Sequence, residues 1–249
     1  MEIRDPIHGP IPLSPIEQTV LRTRAFQRLR SVKQLGFAEL VFPGAAHNRF
    51  LHSLGVMHLA GQAFDAVFRD ATWLPEDERA RLRQTLRLAG MLHDVGHAPL
   101  SHSSESLFPS IEKLALPAVH SRDPKRQARH EHYTLKLLLD SELGRTVDAA
   151  LGTLGGRARH VAALLHGGVA LDDAPFIVAG RDLRSVLMSL CSGEVDVDRM
   201  DYLQRDSYFS GVSYGQFDHA WLIGHLTHYE SDDRKVHLAL RDRAIYTFD

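Results

Sequence analysis

The feature that most constrains this chain is a pair of ionisable residues, His93 and Asp94, that directly follows an apolar helical stretch. The helix predicted from residue 75 to the His93 region ends in the run Ala89-Gly-Met-Leu, and the pair comes next. Because burying an unpaired carboxylate is unfavourable, Asp94 needs a partner, and a divalent cation is one such partner. Any fold for this chain must therefore bring a counter-charge or a metal ion to this point.

Two further predicted helices can supply the rest of a metal site. His52 lies in the predicted helix 49–69, and Asp198 lies in the predicted helix 194–208. With His93 and Asp94 they provide two imidazoles and two carboxylates, a mixed set that suits Mn, Fe, Co, Zn, Ni or Mg. One divalent ion held by His52, His93, Asp94 and Asp198 is thus the central prediction.

The distribution of histidine favours this site over the simpler interpretation. A single histidine on a helix is more often an ordinary core or surface residue, and a lone His-Asp pair carries almost no information. The chain has 16 histidines, however, and several of them cluster near the pair. The flanking histidines are His97, His102, His130 and His132.

Composition narrows the classes of protein to which this chain can belong. The net charge of -2 argues against a generally basic nucleic-acid-binding surface, although a local basic pocket is compatible with it. Cys191 is the single cysteine, so no disulfide can form within the chain, and a reducing cytoplasm is the expected location. No run of 18 apolar residues is present, which argues against a membrane span.

The periodicity of apolar residues predicts a mostly α fold with a minor β element near the termini, in one domain over 1–249. The opening residues 3–13 are rich in proline and predict an irregular arm or a short hairpin, and alternation over 236–240 predicts a strand. A mobile polar connection is expected over 109–129. The remaining predicted helices are 19–35, 130–139, 156–166, 183–191 and 217–229.

Four motifs, taken together and in order, resemble the HD-domain superfamily, and in particular its deoxynucleoside triphosphate (dNTP) triphosphohydrolase branch. The resemblance covers effectively the whole chain, from about residue 3 to residue 249. The motifs are Arg-Leu-Arg-Ser-Val-Lys-Gln-Leu-Gly at 28–36, Val-Phe-Pro-Gly-Ala-Ala-His-Asn-Arg-Phe-Leu-His-Ser-Leu-Gly at 41–55, Leu-His-Asp-Val-Gly-His-Ala-Pro-Leu-Ser-His at 92–102 and Asp-Val-Asp-Arg-Met-Asp-Tyr at 196–202.

The resemblance implies an HD-domain helical bundle that hydrolyses a dNTP to a deoxynucleoside and inorganic triphosphate, by water attack at the α-phosphorus. The metal would polarise an α-phosphate oxygen, and histidines, which titrate near neutral pH, would transfer protons. By motif position the expected catalytic residues are His97, His102, Glu105 and His130.

The resemblance also implies the substrate contacts. Arg49 and Arg199 match basic positions that contact phosphate, and Tyr202 and Asp206 match positions near the sugar and the phosphates. Gln34 and Leu35 correspond to residues that lie against the deoxyribose.

Three expectations remain open at this stage. A homo-oligomer, dimer or tetramer, is expected from the family alone. The family continues past the position of Asp249 into a helix with a phosphate-contacting arginine and a tyrosine under the sugar, so either the sequence continues or this member closes its pocket differently. The alternatives are an HD phosphohydrolase of a nucleoside monophosphate or cyclic nucleotide, and a non-catalytic regulator that binds nucleotide or nucleic acid.

Overall fold

The protein is described here by a computed structural model, which covers residues 1–116, 119 and 123–241. Helices dominate, and the strands form only small antiparallel pairs, which confirms the predicted mostly α class. The helices are α1 (Pro15–Leu21), α2 (Arg24–Gln27), α3 (Arg49–Val67), α4 (Glu76–Leu92), α5 (His130–Leu139), α6 (Glu142–Leu151), α7 (Ala158–Leu165), α8 (Arg184–Ser192), α9 (Val197–Ser210) and α10 (His219–Gly224). The strands are β1 (Glu2–Asp5), β2 (Gly9–Pro12), β3 (Ile177–Val178), β4 (Arg181–Asp182), β5 (Leu226–Glu230) and β6 (Val236–Leu240).

Helix α3 is the centre of the core. It packs against α4 along one side and against α9 along another, and it also contacts α8, α10 and β5. Nearly all of its side chains are buried, as expected for a helix that is apolar all round and surrounded by others. Asn48 caps it by accepting a hydrogen bond from the backbone N–H of Leu51. The first turn of this buried helix carries Arg49 and His52, so both are held deep in the protein.

Helix α4 delivers the His-Asp pair. It starts after Pro75 with three acidic residues in its first turn, which suits the positive end of the helix dipole. It ends at Leu92, so His93 is the C-cap residue and Asp94 lies in the following turn. Beyond this turn a 3-10 helix runs over Ser101–Leu107; Leu100, which precedes it, and Ser101, its first residue, adopt positive φ angles of 70° and 55°.

The opening segment forms a hairpin, β1 paired with β2, in which Ile3 faces Ile11 and Asp5 faces Gly9. Gly9 takes a φ of +68°, which a glycine adopts without the steric penalty of a side chain. The strand predicted over 236–240 is present and pairs with β5. Among the described residues, no helix has both the length and the apolar character needed to cross a bilayer.

Two of the predicted helices are wrong in part. The helix predicted over 19–35 is broken, because Thr23 accepts a hydrogen bond from the N–H of Phe26 and so starts a separate short helix. The backbone is extended at Lys33, which pairs with Asn48. The helix predicted over 217–229 ends at Gly224, because strand β5 follows and pairs with β6.

Helix α6 was not predicted at all from the sequence.

The connection predicted over 109–129 includes residues outside the described part, namely 117, 118 and 120–122. Its described part contains a 3-10 turn at Ile111–Leu114 and backbone hydrogen bonds from Ile111 to Arg126 and from Ala128 to Pro109.

A close contact at Gly96 brings α5 against the turn after α4. A methyl group on Gly96 would lie 2.2 Å from the carbonyl oxygen of His130 and 2.3 Å from the backbone nitrogen of Thr134. The N–H of Gly96 donates to Thr134 Oγ1 at 3.0 Å, and the Thr134 hydroxyl donates to the carbonyl of His93. The missing side chain therefore sets how near His130 comes to the His-Asp pair.

We expect Gly96→Ala to lower the free energy of unfolding by about 1–3 kcal/mol, because the added methyl group meets backbone atoms that cannot rotate away. Gly152→Ala is the matched control: no heavy atom lies within 4 Å of the position that its methyl group would take, and its φ of -58° suits alanine. The control should stay within about 0.5 kcal/mol of the wild type. Urea denaturation of both variants measures the difference, and equal stabilities would contradict the close-contact interpretation.

Candidate metal centre

The four predicted metal ligands lie together, although they come from three separate parts of the chain. His52 Nε2 lies 3.0 Å from Asp198 Oδ1 and 3.7 Å from Asp94 Oδ2. His93 Nε2 lies 3.4 Å from Asp94 Oδ2 and 3.6 Å from Asp198 Oδ1. His52, His93 and Asp94 thus form a group that could hold a metal ion, and Asp198 Oδ1 lies within 3.6 Å of both imidazole nitrogens. This set of donors fits a divalent ion.

The orientation of His93 supports that fit. Its Nδ1 hydrogen-bonds the carbonyl oxygen of Gly90 at 2.8 Å, which fixes the ring and leaves Nε2 directed at the carboxylates. Nε2 is buried and makes no hydrogen bond with any residue in the described part of the chain. A buried imidazole nitrogen without a hydrogen bond is unfavourable unless another partner satisfies it, and a metal ion is such a partner.

His52 is held from behind by Asp201. Its Nδ1 donates to Asp201 Oδ2 at 2.7 Å, so Nε2 is the nitrogen that faces Asp94 and Asp198. Burial disfavours the protonated ring, but the hydrogen bonds with Asp198 and Asp201 outweigh burial and raise the pKa of His52 to about 10. Burial raises the pKa of Asp198, but the neighbouring His52 and His93 outweigh burial and hold it below its usual range.

Asp201 belongs to a buried ionic network that the sequence interpretation missed. It accepts hydrogen bonds from Arg205 Nε at 2.8 Å, from Arg205 Nη2 at 2.9 Å and from His8 Nε2 at 2.6 Å. Arg205 also donates to Asp5 Oδ2 at 2.9 Å. Burial is again opposed by these partners, which keep the pKa of Asp201 well below its usual range. The sequence contains one indication of this network: Asp198, Asp201 and Arg205 are spaced so that three charges lie along one predicted helix.

The two carboxylate oxygens of Asp94 face different groups. Its Oδ2 is paired with Arg49 Nη1 and faces His52 and His93, whereas its Oδ1 lies 3.3 Å from His97 Nε2. Arg49 is further fixed by a hydrogen bond from its Nε to Ser101 Oγ at 2.7 Å. Burial raises the pKa of Asp94, but the nearby His93 and Arg49 charges hold it well below its usual range.

The four predicted catalytic residues form a second cluster directly beside the first. The rings of His97 and His130 stack with centroids 3.7 Å apart, and His102 packs against both edge-on. His130 Nδ1 hydrogen-bonds Glu105 Oε1 at 2.5 Å, and His102 Nδ1 lies 3.5 Å from the same oxygen. Burial lowers the pKa of His97 to about 3, so its ring is neutral at pH 7.

The predicted substrate-contacting residues other than Arg49 lie in two places, on α9 and in the turn that follows Lys33. Tyr202 and Asp206 lie on α9 beyond Asp198, and Asp206 Oδ1 accepts a hydrogen bond from His47 at 2.8 Å. Arg199 directs its guanidinium towards Glu194 and Asp196, and its side chain is 54% exposed. Gln34 and Leu35 are half-buried in the turn that follows Lys33.

Comparison with known proteins assigns the chain to a family. The family model described as "HD domain" matches residues 49–206, which include all four predicted metal ligands. The chain belongs to the HD-domain family. This confirms the resemblance drawn from the sequence motifs.

Similar proteins cover most of this chain but extend well beyond it. The human deoxynucleoside triphosphate triphosphohydrolase SAMHD1 is 32% identical over 252 residues, which cover 98% of this chain and 38% of that protein. The uncharacterized protein YwfO of Bacillus subtilis is 35% identical over 217 residues, 86% of this chain and 41% of that protein. A hypothetical protein from Aquifex aeolicus, known from its crystal structure, has a TM-score of 0.68 and 30% identity, covering 100% of this chain and 56% of that one. The chain therefore spans about two fifths of the length of these curated relatives.

We expect Asp201→Asn to weaken divalent-metal binding by about 10- to 100-fold, because His52 loses the carboxylate that orients its ring. Asp5→Asn is the control, since Asp5 contacts the same Arg205 but not His52. Competition with a chelator measures the metal affinity of both variants. Equal affinities would show that the Asp201 carboxylate does not act through His52.

Binding of the metal should release protons at pH 7. His52 has a pKa of about 10 in the metal-free protein, so it is protonated at pH 7, whereas a metal ligand must be neutral. The apparent affinity should therefore rise with pH up to about 10. Calorimetry of Mn²⁺ binding in two buffers with different ionisation enthalpies counts the protons, and a buffer-independent enthalpy would contradict the assignment of His52 as a ligand.

Proposed function

We propose that this protein is a metal-dependent dNTP triphosphohydrolase that converts a dNTP to a deoxynucleoside and inorganic triphosphate. The observation that carries the proposal is the position of the imidazole cluster immediately beside the ligand set, with Asp94 facing both. The similarity of nearly the whole chain to the human enzyme of that name supports the choice of substrate.

The proposed metal ligands are His52, His93, Asp94 and Asp198. A divalent ion bound there, whose identity the donor set leaves among Mn, Fe, Co, Zn, Ni and Mg, would polarise an α-phosphate oxygen and help to position water. Arg49 assists from the side, because its guanidinium is fixed by Asp94 and Ser101 and adds a permanent positive charge next to the ligands.

Proton transfer falls to the neighbouring histidines. His130 is the best oriented, because Glu105 holds its Nδ1 and leaves Nε2 facing Asp94 Oδ1 at 4.0 Å. His102 is the most accessible, with a side chain that is 66% exposed, which suits contact with a leaving 5′-oxygen. His97 is buried and neutral, and we assign it a supporting role beneath His130 by stacking.

Phosphate and sugar contacts complete the proposal. The exposed guanidinium of Arg199 can turn from Glu194 to a triphosphate, since its contact there is long, at 3.4 Å. Tyr202 and Asp206 follow on the same helical face as Asp198. Gln34 Oε1 is a buried acceptor that makes no hydrogen bond with any described residue, so a deoxyribose hydroxyl is a suitable donor to it. Leu35, next in the chain, would offer an apolar contact to the sugar.

A homo-oligomer and a cytoplasmic location belong to the same proposal. Several large apolar side chains are exposed on one short segment, and an assembly of subunits would cover such a surface. These side chains are Phe37, Leu40, Val41 and Phe42. Binding of nucleic acid is not part of the proposal, because the net charge is -2.

Incubation with Mn²⁺ and each dNTP in H₂¹⁸O tests the reaction. We expect inorganic triphosphate that carries one ¹⁸O and an unlabelled deoxynucleoside, because water attacks the α-phosphorus and the 5′-oxygen leaves with the nucleoside. Asp94→Ala should lose both the metal and the activity, by 100-fold or more in rate, on the order of the contribution of a polarising metal and its proton transfers.

Other products would point to the alternatives. Pyrophosphate or orthophosphate would overturn the proposed cleavage position. Hydrolysis of nucleoside monophosphates or cyclic nucleotides, with dNTPs left intact, would favour a different HD phosphohydrolase. Nucleotide binding without turnover at any metal concentration would favour a non-catalytic regulator.

A further inference from the structure

His47 is a buried residue that connects two of the positions proposed to contact the sugar. The residue is 2% exposed, and its ring Nε2 donates to Asp206 Oδ1 at 2.8 Å. Its backbone carbonyl oxygen accepts a hydrogen bond from the N–H of Gln34 at 3.1 Å. A single residue therefore contacts both the turn that carries Gln34 and the carboxylate of Asp206 on α9.

The backbone around His47 is held by a short antiparallel pairing. Lys33 pairs with Asn48, and the N–H of Arg49 donates to the carbonyl oxygen of Val32 at 2.9 Å. Asn48 is also the residue that caps α3. Because its neighbours are paired and capped, His47 has a fixed position directly before the central helix of the core.

The ring of His47 is fixed as well. It stacks on Phe209, with ring centroids 4.7 Å apart and an angle of 17° between the planes. Nδ1 is buried and makes no hydrogen bond with any described residue, so Asp206 is the ring's one hydrogen-bonding partner within the part of the chain that the structure describes. An aspartate side chain has several rotamers available, and a hydrogen bond from an immobile ring favours one of them.

Asp206 has a second oxygen for a ligand. Its Oδ1 accepts the bond from His47, no described residue donates to its Oδ2, and its side chain is 16% exposed. A carboxylate oxygen is a strong acceptor for a hydroxyl. In a dNTP the deoxyribose has one free hydroxyl, at the 3′ position, because its 5′-oxygen carries the phosphates. The 3′-hydroxyl is therefore the sugar group that suits Asp206.

We propose that His47 is a positioning residue that determines how strictly the site requires the 3′-hydroxyl of its substrate. Its ring N–H fixes the Asp206 carboxylate and leaves Oδ2 for the sugar, and its carbonyl fixes the turn that carries Gln34. The inference rests on the proposed function and extends it to the recognition of one hydroxyl. A site that hydrogen-bonds a hydroxyl rejects an analogue without it, because a polar group of the site is then left unpaired.

A comparison of each dNTP with the 2′,3′-dideoxynucleoside triphosphate of the same base tests the proposal. In the wild type we expect kcat/KM to be about 10- to 100-fold higher for the dNTP, the size of one hydrogen bond to a charged group. His47→Phe keeps a ring to stack on Phe209 but has no N–H for Asp206. The ratio of the two kcat/KM values should therefore fall about 10-fold, through a higher KM for the dNTP.

Two further variants separate positioning from packing. His47→Gln should restore most of the ratio, because its amide can donate from nearly the place of the imidazole Nε2. His160→Phe is the matched control for the loss of a buried histidine: His160 is also 2% exposed, and its Nε2 hydrogen-bonds Asp173 at 2.9 Å, on α7 and outside the proposed site. It should keep the wild-type ratio. Thermal unfolding shows that each variant is folded.

Several results would overturn the proposal. Equal kcat/KM values for the two nucleotides in the wild type would reject recognition of the 3′-hydroxyl. An unchanged ratio in His47→Phe, or an equal loss with both nucleotides, would reject the role of His47. If His47→Phe does not fold, His47→Asn takes its place, since its shorter amide cannot reach Asp206.

Failure of the proposed function is recognised separately. Absence of triphosphate release from every nucleotide would reject the proposed reaction. Equilibrium dialysis would then give the dissociation constants of the dNTP and the dideoxynucleotide, and a ratio that falls in His47→Phe but not in His160→Phe would still support the role of His47. A ratio that is the same in both variants would overturn it.

Discussion

The ion pair between Asp201 and Arg205 is the interaction on which the candidate metal centre depends. Both side chains are fully buried, and the guanidinium donates to both oxygens of the carboxylate. Removing one partner from such a pair typically destabilises a protein by about 3–5 kcal/mol, because an unpaired charge then stays buried. Here the pair also orients a ligand: the carboxylate that Arg205 fixes is the one that accepts the Nδ1 proton of His52.

The packing of α3 against α9 is shaped by the same pair. Gly55 lies one turn after His52, and a methyl group on it would stand 1.8 Å from Asp201 Oδ1 and 2.6 Å from Arg205 Nη2. The absence of a side chain at Gly55 therefore makes room for the charged pair between two packed helices. Gly96 has the corresponding role on the other side of the site, where α5 approaches the turn after α4.

The residues at the centre could be predicted because their chemistry conflicts with their local sequence. A buried Asp94 after an apolar stretch requires a partner, and His52 inside an apolar helix is a suitable one, so residue type and motif order were sufficient to predict that these side chains lie close together. The supporting residues could not be found in this way. Asp5 and His8 lie in a segment with no helical pattern, and their contact with Asp201 and Arg205 joins positions about 200 residues apart. The break at Thr23 and the strand after Gly224 likewise depend on hydrogen bonds that apolar periodicity does not reveal.

These contacts connect the N-terminal hairpin to the candidate metal centre. Its two strands could be taken as a peripheral appendage, yet Asp5 and His8 at its turn complete the hydrogen bonding of the charges behind His52. Without the hairpin, Asp201 would lose the hydrogen bond from His8 and Arg205 would lose the carboxylate of Asp5. The first eight residues therefore supply two of the four side chains in the buried network behind His52, so a segment at the start of the chain supports a predicted metal ligand on a helix of the core.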